Sequence, residues 1–349
     1  MIVFSMWLDV VSQTECIAML IGVPATLSLL GCIWRKSPKE FGDYRHFLSL
    51  CCYQSLLFGI FSCALGMNYY SNQNSVAAFA TWNFLGLPAS SMIILLCGEA
   101  ASACMTIWSL AAQYLYRYMA MTKNPNLNYY FGGKRWMLWI LGIFLISVVF
   151  AGNIYCFGPI LETGRTDGFG NEIREIFGME KKEPLYYVRF KLYDEDGSGS
   201  WAIDKAMIGF AIMAVITGIP LTICIVCGVK TYYGFKAKTD GLNDRQDIQN
   251  TLFRALLIQT LIMTVFLYLP TFLNFTATIL RLNLGTLSDI GGVSFVMYPM
   301  FDSILMLWII KYYRKSVLNF VLCRDVSVAP LLTHGTATSY IQNRAESGV

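Results

Sequence analysis

The sequence predicts an all-helical membrane protein, a bundle of seven transmembrane helices with its N-terminus outside and its C-terminus inside. Three observations predict it. Hydrophobic residues make up 56% of the 349 and charged residues only 14%, about half the charged share of a usual globular domain. The apolar residues gather in seven blocks, roughly 16–34, 46–67, 91–116, 136–157, 206–229, 252–276 and 291–310, each close to the ~20 residues that a helix needs to cross a bilayer. Lys and Arg gather in the first, third and fifth connections and at the start of the tail. The long fourth connection, about 158–205, also holds bases but is too long to count toward orientation.

The blocks are continuously apolar, without the alternation of a membrane barrel, and a single chain in lipid satisfies its own backbone only as helices. There is no internal repeat and no matched pair of broken helices of the kind many transporters carry. The run from Ile2 to Val11 lacks a basic leader and is interrupted by Asp9, so no cleavable signal peptide is expected. Nearly all of the eleven cysteines fall inside apolar blocks, where Cys behaves as a small hydrophobe rather than as part of a disulfide framework.

The basic residues set the direction. Arg35, Lys36, Lys39 and Arg45 occupy the first connection, and Arg117, Lys123, Lys134 and Arg135 the third. Lys230, Lys236, Lys238 and Arg245 occupy the fifth, and Lys311, Arg314 and Lys315 open the tail. The N-terminus and the loop from Asn68 to Ala89 hold no Lys or Arg, and the sixth connection holds only Arg281. Because Lys and Arg mark cytoplasmic loops, the N-terminus is expected outside. The chain thus reads as one seven-transmembrane domain over 1–325, followed by a disordered cytoplasmic tail over 326–349.

Within the spans, charged and polar residues are the candidates for function, because they are costly in lipid and face the bundle interior. Glu99 precedes Arg117 by eighteen residues, which places it about 27 Å from the cytoplasmic end of the third span. It is either a ligand contact or an internally hydrogen-bonded structural glutamate. Asn153, Tyr268 and Tyr298 are candidates for the same ligand cavity, with ordinary packing as the alternative for each. Asp302, after Pro299 in the seventh span, lies nearer the cytoplasm and suits a conformational role. Pro24, Pro220, Pro270 and Pro299 each remove a backbone donor and mark hinges or static kinks. After the seventh span, Val317, Leu318, Phe320 and Val321 alternate with polar groups, as in a short amphipathic helix on the inner leaflet, with Cys323 as a candidate lipidation site.

Enzymatic chemistry finds no foothold. The two histidines, His46 and His334, are isolated, and there is no Walker loop, HExxH or GxSxG. DEDGSGSWAIDK, residues 194–205, begins like a calcium loop. Position twelve, which needs a bidentate glutamate, is Lys205, and position nine is Ala202. A turn before the fifth span, with Ser200 as helix cap and Trp201 at headgroup level, accounts for it better. No cofactor and no metal is expected.

Four segments resemble a known family, the nematode serpentine chemoreceptors of the Str superfamily, seven-helix G-protein-coupled receptors. They are SPKEFGDYR (Ser37–Arg45), QYLYRYMA (Gln113–Ala120), LFRALLIQTLI (Leu252–Ile262) continuing to Tyr268-Leu-Pro270, and YPMFD (Tyr298–Asp302) with Tyr313-Arg314. The resemblance implies a multi-pass plasma-membrane receptor on a sensory cilium. Its implied partners are a small odorant or other environmental chemical, a heterotrimeric G protein and membrane lipid, with no nucleic acid. By position, Arg117 corresponds to the arginine that faces the G protein, and Pro270, Pro299 and Asp302 belong to the switching helices. Tyr116 stands beside Arg117 where an acid would form a latch, and Met263 and Ser303 stand where the family usually has proline. The fourth loop has no cysteine for the disulfide to the third helix that many receptors carry. The competing expectation is a transporter or ion channel that uses Glu99 and Asp302 as polar steps.

Overall fold

The structure, a computed structural model, describes residues 2–37, 41, 44–83, 86–122, 124–157, 168–180, 185–193, 205–236 and 244–321. Among these, seven helices are long and apolar enough to cross a membrane. They are α1 (Ile2–Lys36), α2 (Tyr44–Leu65), α3 (Ala89–Met121), α5 (Trp136–Phe157) and α7 (Lys205–Lys236), then a sixth span in three pieces, and finally α10 (Ile290–Ile309). The short α4 (Leu127–Phe131) joins the third and fourth spans, and α6 (Gly168–Phe177) follows the fourth.

The sixth span begins as α8 (Asp244–Met263), widens into a π-helical turn over Thr264–Tyr268, and resumes as α9 (Leu269–Ile279). The widening has a local cause. Pro270 has no N–H to give the turn before it, and the Leu269 N–H reaches Thr264, five residues back. Shifted pairing of this kind is how a proline-broken helix keeps its backbone satisfied in lipid. After α10, Ile310 adopts an extended conformation and α11 (Lys311–Val321) turns away. The Tyr313 ring packs back against α1, and its hydroxyl pairs with Ser37 Oγ at 2.7 Å. This is the amphipathic helix expected after the seventh span. Cys323 lies outside the described residues, as does the calcium-like stretch up to Asp204, with Ser200 and Trp201.

The sequence does not announce the β-sheet. β1 (Met67–Ser71) and β2 (Ser75–Ala80) form a hairpin in the base-free second connection. β3 (Tyr186–Lys191), from the long fourth connection, pairs antiparallel with β2 from Ser75↔Lys191 to Ala80↔Tyr186. Strand alternation gives the sheet two faces. Tyr70, Ala77, Phe79 and Tyr187 pack on Phe169, Ile173 and Phe177 of α6. Met67, Ala80, Val188 and Phe190 face the helices instead. Both faces are covered, and most residues of all three strands are accordingly buried.

Polar contacts fasten these layers. Glu172 of α6 accepts from Tyr70 Oη at 2.7 Å and from Asn72 Nδ2 at 3.0 Å. Burial and that carboxylate push the Tyr70 hydroxyl above the usual phenol range, so it remains a donor. On the helix side, Asp289 Oδ1 accepts from the Tyr69 N–H at 2.8 Å, and Ser288 Oγ donates to Tyr69 O at 3.1 Å. Gly292 permits the approach. A Cβ there would stand 2.7 Å from Asp289 Oδ1 and 3.2 Å from Met67 O.

Asp289→Ala leaves the Tyr69 amide without its carboxylate acceptor in a fully buried place. The expected cost is ~1–3 kcal/mol of stability, read as a lower melting temperature of the detergent-solubilised protein. An unchanged melting temperature counts against the sheet being pinned there.

Candidate functional site

Helix α3 organises the interior because its two faces differ. Glu99, Ser102, Thr106, Ser109, Gln113 and Arg117 recur every three or four residues and are all buried. That spacing draws one polar stripe along a helix. The stripe meets α2. Ser62 Oγ donates to Glu99 Oε1 at 2.6 Å, Gln54 Nε2 donates to Ser109 Oγ at 2.8 Å, and Tyr44 Oη donates to Gln113 Oε1 at 2.8 Å. Gln113 Nε2 in turn contacts Cys51 Sγ at 2.9 Å. At the basic end, the Arg117 guanidinium lies 3.6 Å above the Tyr44 ring, and the residue is only 3% exposed. A cation on an aromatic face is partly compensated for lost water.

The polar contacts continue into the other helices of that half of the bundle. Tyr114 Oη pairs with Thr260 Oγ1 at 2.7 Å, linking α3 to α8. Gln259 Nε2 donates to Asp302 Oδ1 at 3.0 Å, linking α8 to α10. Thr26 Oγ1 and Ser303 Oγ, 2.6 Å apart, link α1 to α10. Asp302 therefore bridges the sixth and seventh spans, three residues after Pro299 in α10.

The other face of α3 carries Leu96, Ala100, Ala103, Cys104 and Ile107, and it lines a cavity of about 370 Å³. α5, α7, the π-turn, α9 and α10 complete the walls, and the inward face of the sheet closes one end. The space exists because small side chains meet in it, with Ala100 and Ala103 on α3, Ala78 on β2 and Ala214 on α7. Interiors are otherwise packed to crystal density. No Asp, Glu, Lys, Arg or His lines it among the described residues. Its few polar groups are largely occupied. Tyr268 Oη donates to Thr217 O at 3.0 Å, Thr271 Oγ1 donates to Leu267 O at 2.8 Å, and Asn274 Nδ2 donates to Ser288 O at 3.0 Å. Phe210 of α7 stacks on Phe275 of α9 with centroids 4.6 Å apart.

Of the four sequence-named ligand candidates, Tyr268 lines this cavity. Glu99 is adjacent to Ala100 in sequence but is turned ~100° away, toward Ser62 on α2. Asn153 Nδ2 donates to Gly209 O at 2.9 Å and ties the fourth span to the fifth, while its neighbour Ile154 lines the cavity. Tyr298 is packed edge-to-face on Phe58, with centroids 6.5 Å apart, in the core below. Cys97 and Cys156 are both free thiols. Glu99 and Arg117 of the α3 stripe were named from the sequence, whereas Ser102, Thr106, Ser109 and Gln113 were missed, although their three- and four-residue spacing was the available signal.

A seven-helix bundle with a buried arginine at the end of its third helix and a cavity beside that helix is the architecture of a G-protein-coupled receptor. The fold matches the crystal structure of squid rhodopsin with a TM-score of 0.60 at 11% identity, over 99% of this chain and 93% of that one. The profile of the serpentine type 7TM GPCR chemoreceptor Str family matches residues 11–318, and the chain belongs to that family. It is 22% identical over 326 residues to serpentine receptor class r-10 of Caenorhabditis elegans, covering 93% of this chain and 94% of the relative. It is also 22% identical over 294 residues to G-protein coupled receptor str-33 of the same organism, covering 82% and 84%. The protein is thus a multi-pass membrane receptor rather than an enzyme, and its partners as a class are a ligand and a G protein.

Ser62→Ala removes the hydrogen bond that Glu99 receives and leaves its carboxylate stranded in the core. The expected loss is ~1–3 kcal/mol, measured by thermal unfolding. Combining it with Glu99→Leu recovers much of that loss if the pair is structural.

Proposed function

We propose that this receptor is chemosensory and binds a small, uncharged, largely apolar molecule in the cavity between α3, α5, α7 and the sixth span. The observation that carries it is the lining itself. A volume of about 370 Å³ without an ionisable side chain among the described residues favours a neutral guest, since a charge there would lose its water without compensation. Tyr268 is the proposed polar contact. Glu99, Asn153 and Tyr298 act by positioning helices around the guest rather than by touching it.

The basic end is proposed to face the cytoplasm, following the distribution of Lys and Arg, so that the sheet covers the cavity from outside. The family's chemoreceptor character favours the plasma membrane of a sensory cilium as the site of action. Arg117 is the proposed coupling residue. Being covered by Tyr44, it becomes available to a G protein only in a second packing of the helices. The π-turn before Pro270, the Gln259–Asp302 bond and Pro299 are the proposed moving parts. The guest favours that second packing only by binding it more tightly than the first.

The test is a reporter assay in cells expressing the receptor, challenged with a panel of small neutral volatiles. Ala103→Phe, which puts a ring into the cavity, is expected to raise the half-maximal concentration of any active compound by ~100-fold or abolish the response, with surface expression unchanged. Arg117→Ala is expected to leave surface expression and ligand binding in place while abolishing the reporter signal. An active compound as potent on Ala103→Phe as on the unsubstituted receptor overturns the cavity assignment, and an intact reporter signal from Arg117→Ala overturns the coupling role. An N-terminal epitope tag is expected to be accessible on intact cells, and an inaccessible tag overturns the orientation.

A further inference from the structure

The first span carries an acid that neither the apolar cavity nor the α3 polar stripe uses. Glu15 is 1% exposed, and both of its carboxylate oxygens lack a hydrogen-bond partner among the described residues. An ionisable group held this way in a bundle interior is costly and calls for a partner of opposite charge. Glu15 borders a second cavity of about 330 Å³ at the sheet end of the molecule. Leu8, Val11, Ser12 and Glu15, spaced three and four residues apart, present one face of α1 to it. Across from them lie Asn68 of β1 and Trp82.

The chemistry of these walls is one-sided. Asn68 Nδ2 is spent on Gly66 O at 2.7 Å, and Asn68 Oδ1 is buried without a hydrogen-bond partner among the described residues. Asp9 adds a further carboxylate to the lining, and no Lys, Arg or His lines it among the described residues. The charged groups that act on Glu15 through space are Glu99 and Asp289, both of the same sign. Each of those two has a donor of its own, Ser62 and the Tyr69 N–H respectively. The Trp82 ring packs against Gly66, where φ is 53° and a Cβ would stand 3.0 Å from the ring. The walls therefore offer acceptors, negative charge, an aromatic surface and two aliphatic side chains.

We propose that this second cavity binds a small protonated amine, with Glu15 as its counter-ion, Asn68 Oδ1 as a second acceptor and Trp82 as an aromatic wall. An ammonium brings three donors to acceptors that have none, and aromatic rings attract cations. Leu8 and Val11 suit a short hydrocarbon body. A bare metal ion suits the space less well, because no group of three or more His, Cys, Asp or Glu side chains among the described residues is arranged to ligate one. The site shares no lining residue with the apolar cavity, since Asn68 and its neighbours Met67 and Tyr69 point to opposite faces of β1.

The experiment is a thermal-unfolding titration of the full-length receptor in lipid nanodiscs at pH 7, with n-butylammonium chloride, n-butanol and sodium chloride as the three probes. Butylammonium is expected to raise the melting temperature saturably, whereas the isosteric alcohol and sodium at the same concentration are not. Glu15→Gln is expected to weaken the butylammonium midpoint at least about tenfold, as loss of a charge-assisted contact does, and Ala103→Phe to leave it unchanged. Trp82→Leu, at a partly exposed position, provides a second variant that does not touch the buried acid, and it is expected to weaken the midpoint several-fold. A butylammonium midpoint unchanged in Glu15→Gln, or unchanged in Trp82→Leu where Glu15→Gln does not fold, overturns the proposal. A sodium-induced shift that depends on Glu15, with none from butylammonium, assigns the site to an inorganic cation and overturns it as well.

Discussion

The constraint on which this structure depends is that no backbone N–H or C=O in the hydrocarbon layer is left without a partner. It makes every span a helix and confines the sheet to one end, where β1 and β3 are edge strands covered by α6 and the helix ends. It also explains the irregularity inside the sixth span. Pro270 withdraws a donor, and the chain answers with a π-turn over Thr264–Tyr268 rather than an open break. That turn rotates the residues after it, and it is there that Tyr268 reaches both the cavity and the carbonyl of Thr217. A requirement of backbone chemistry thus shapes a ligand-sized space.

The same economy governs side chains. In lipid there is little hydrophobic force between helices, so hydrogen bonds and close packing hold the bundle together. α3 is the helix on which both meet. Its polar stripe is paired to α2 from Glu99 to Arg117, while its alanine face leaves room on the other side. The proposed guest would press on a face of the same helix that holds Arg117 against Tyr44. The two faces are sides of one rigid rod, which gives a physical route between them without any separate pathway.

Much of this was legible in the residues. The seven spans, the turn of chain after the seventh and the basic end follow from runs of apolar residues and the placement of Lys and Arg. The four family segments fall where the structure has α2's start, α3's end, α8 and α10. Glu99 and Asp302 stand out because charge is rare in such helices, and Arg117 through the family resemblance; all three are buried. Glu15 was passed over because its block seemed to start at residue 16, whereas α1 begins at Ile2 and carries the acid well inside. Strands β1 and β2 escaped notice because Met67–Ser71 is short and β2 is mostly alanine and serine, without the alternation that marks a half-exposed strand.

By itself the sequence determined how many times the chain crosses a membrane, which ends of the helices are basic and which family it belongs to. Those properties are local: span length is set by bilayer thickness, helicity by backbone pairing within one segment, and charge asymmetry by composition. Only the tertiary structure decided that Ala100 faces a hollow while Glu99 faces Ser62, that β3 returns from the fourth connection to pair with β2, and that Glu15 has no hydrogen-bond partner among the described residues. Such outcomes depend on which side chain of another helix or strand stands opposite, and that is fixed by packing between segments far apart in the chain.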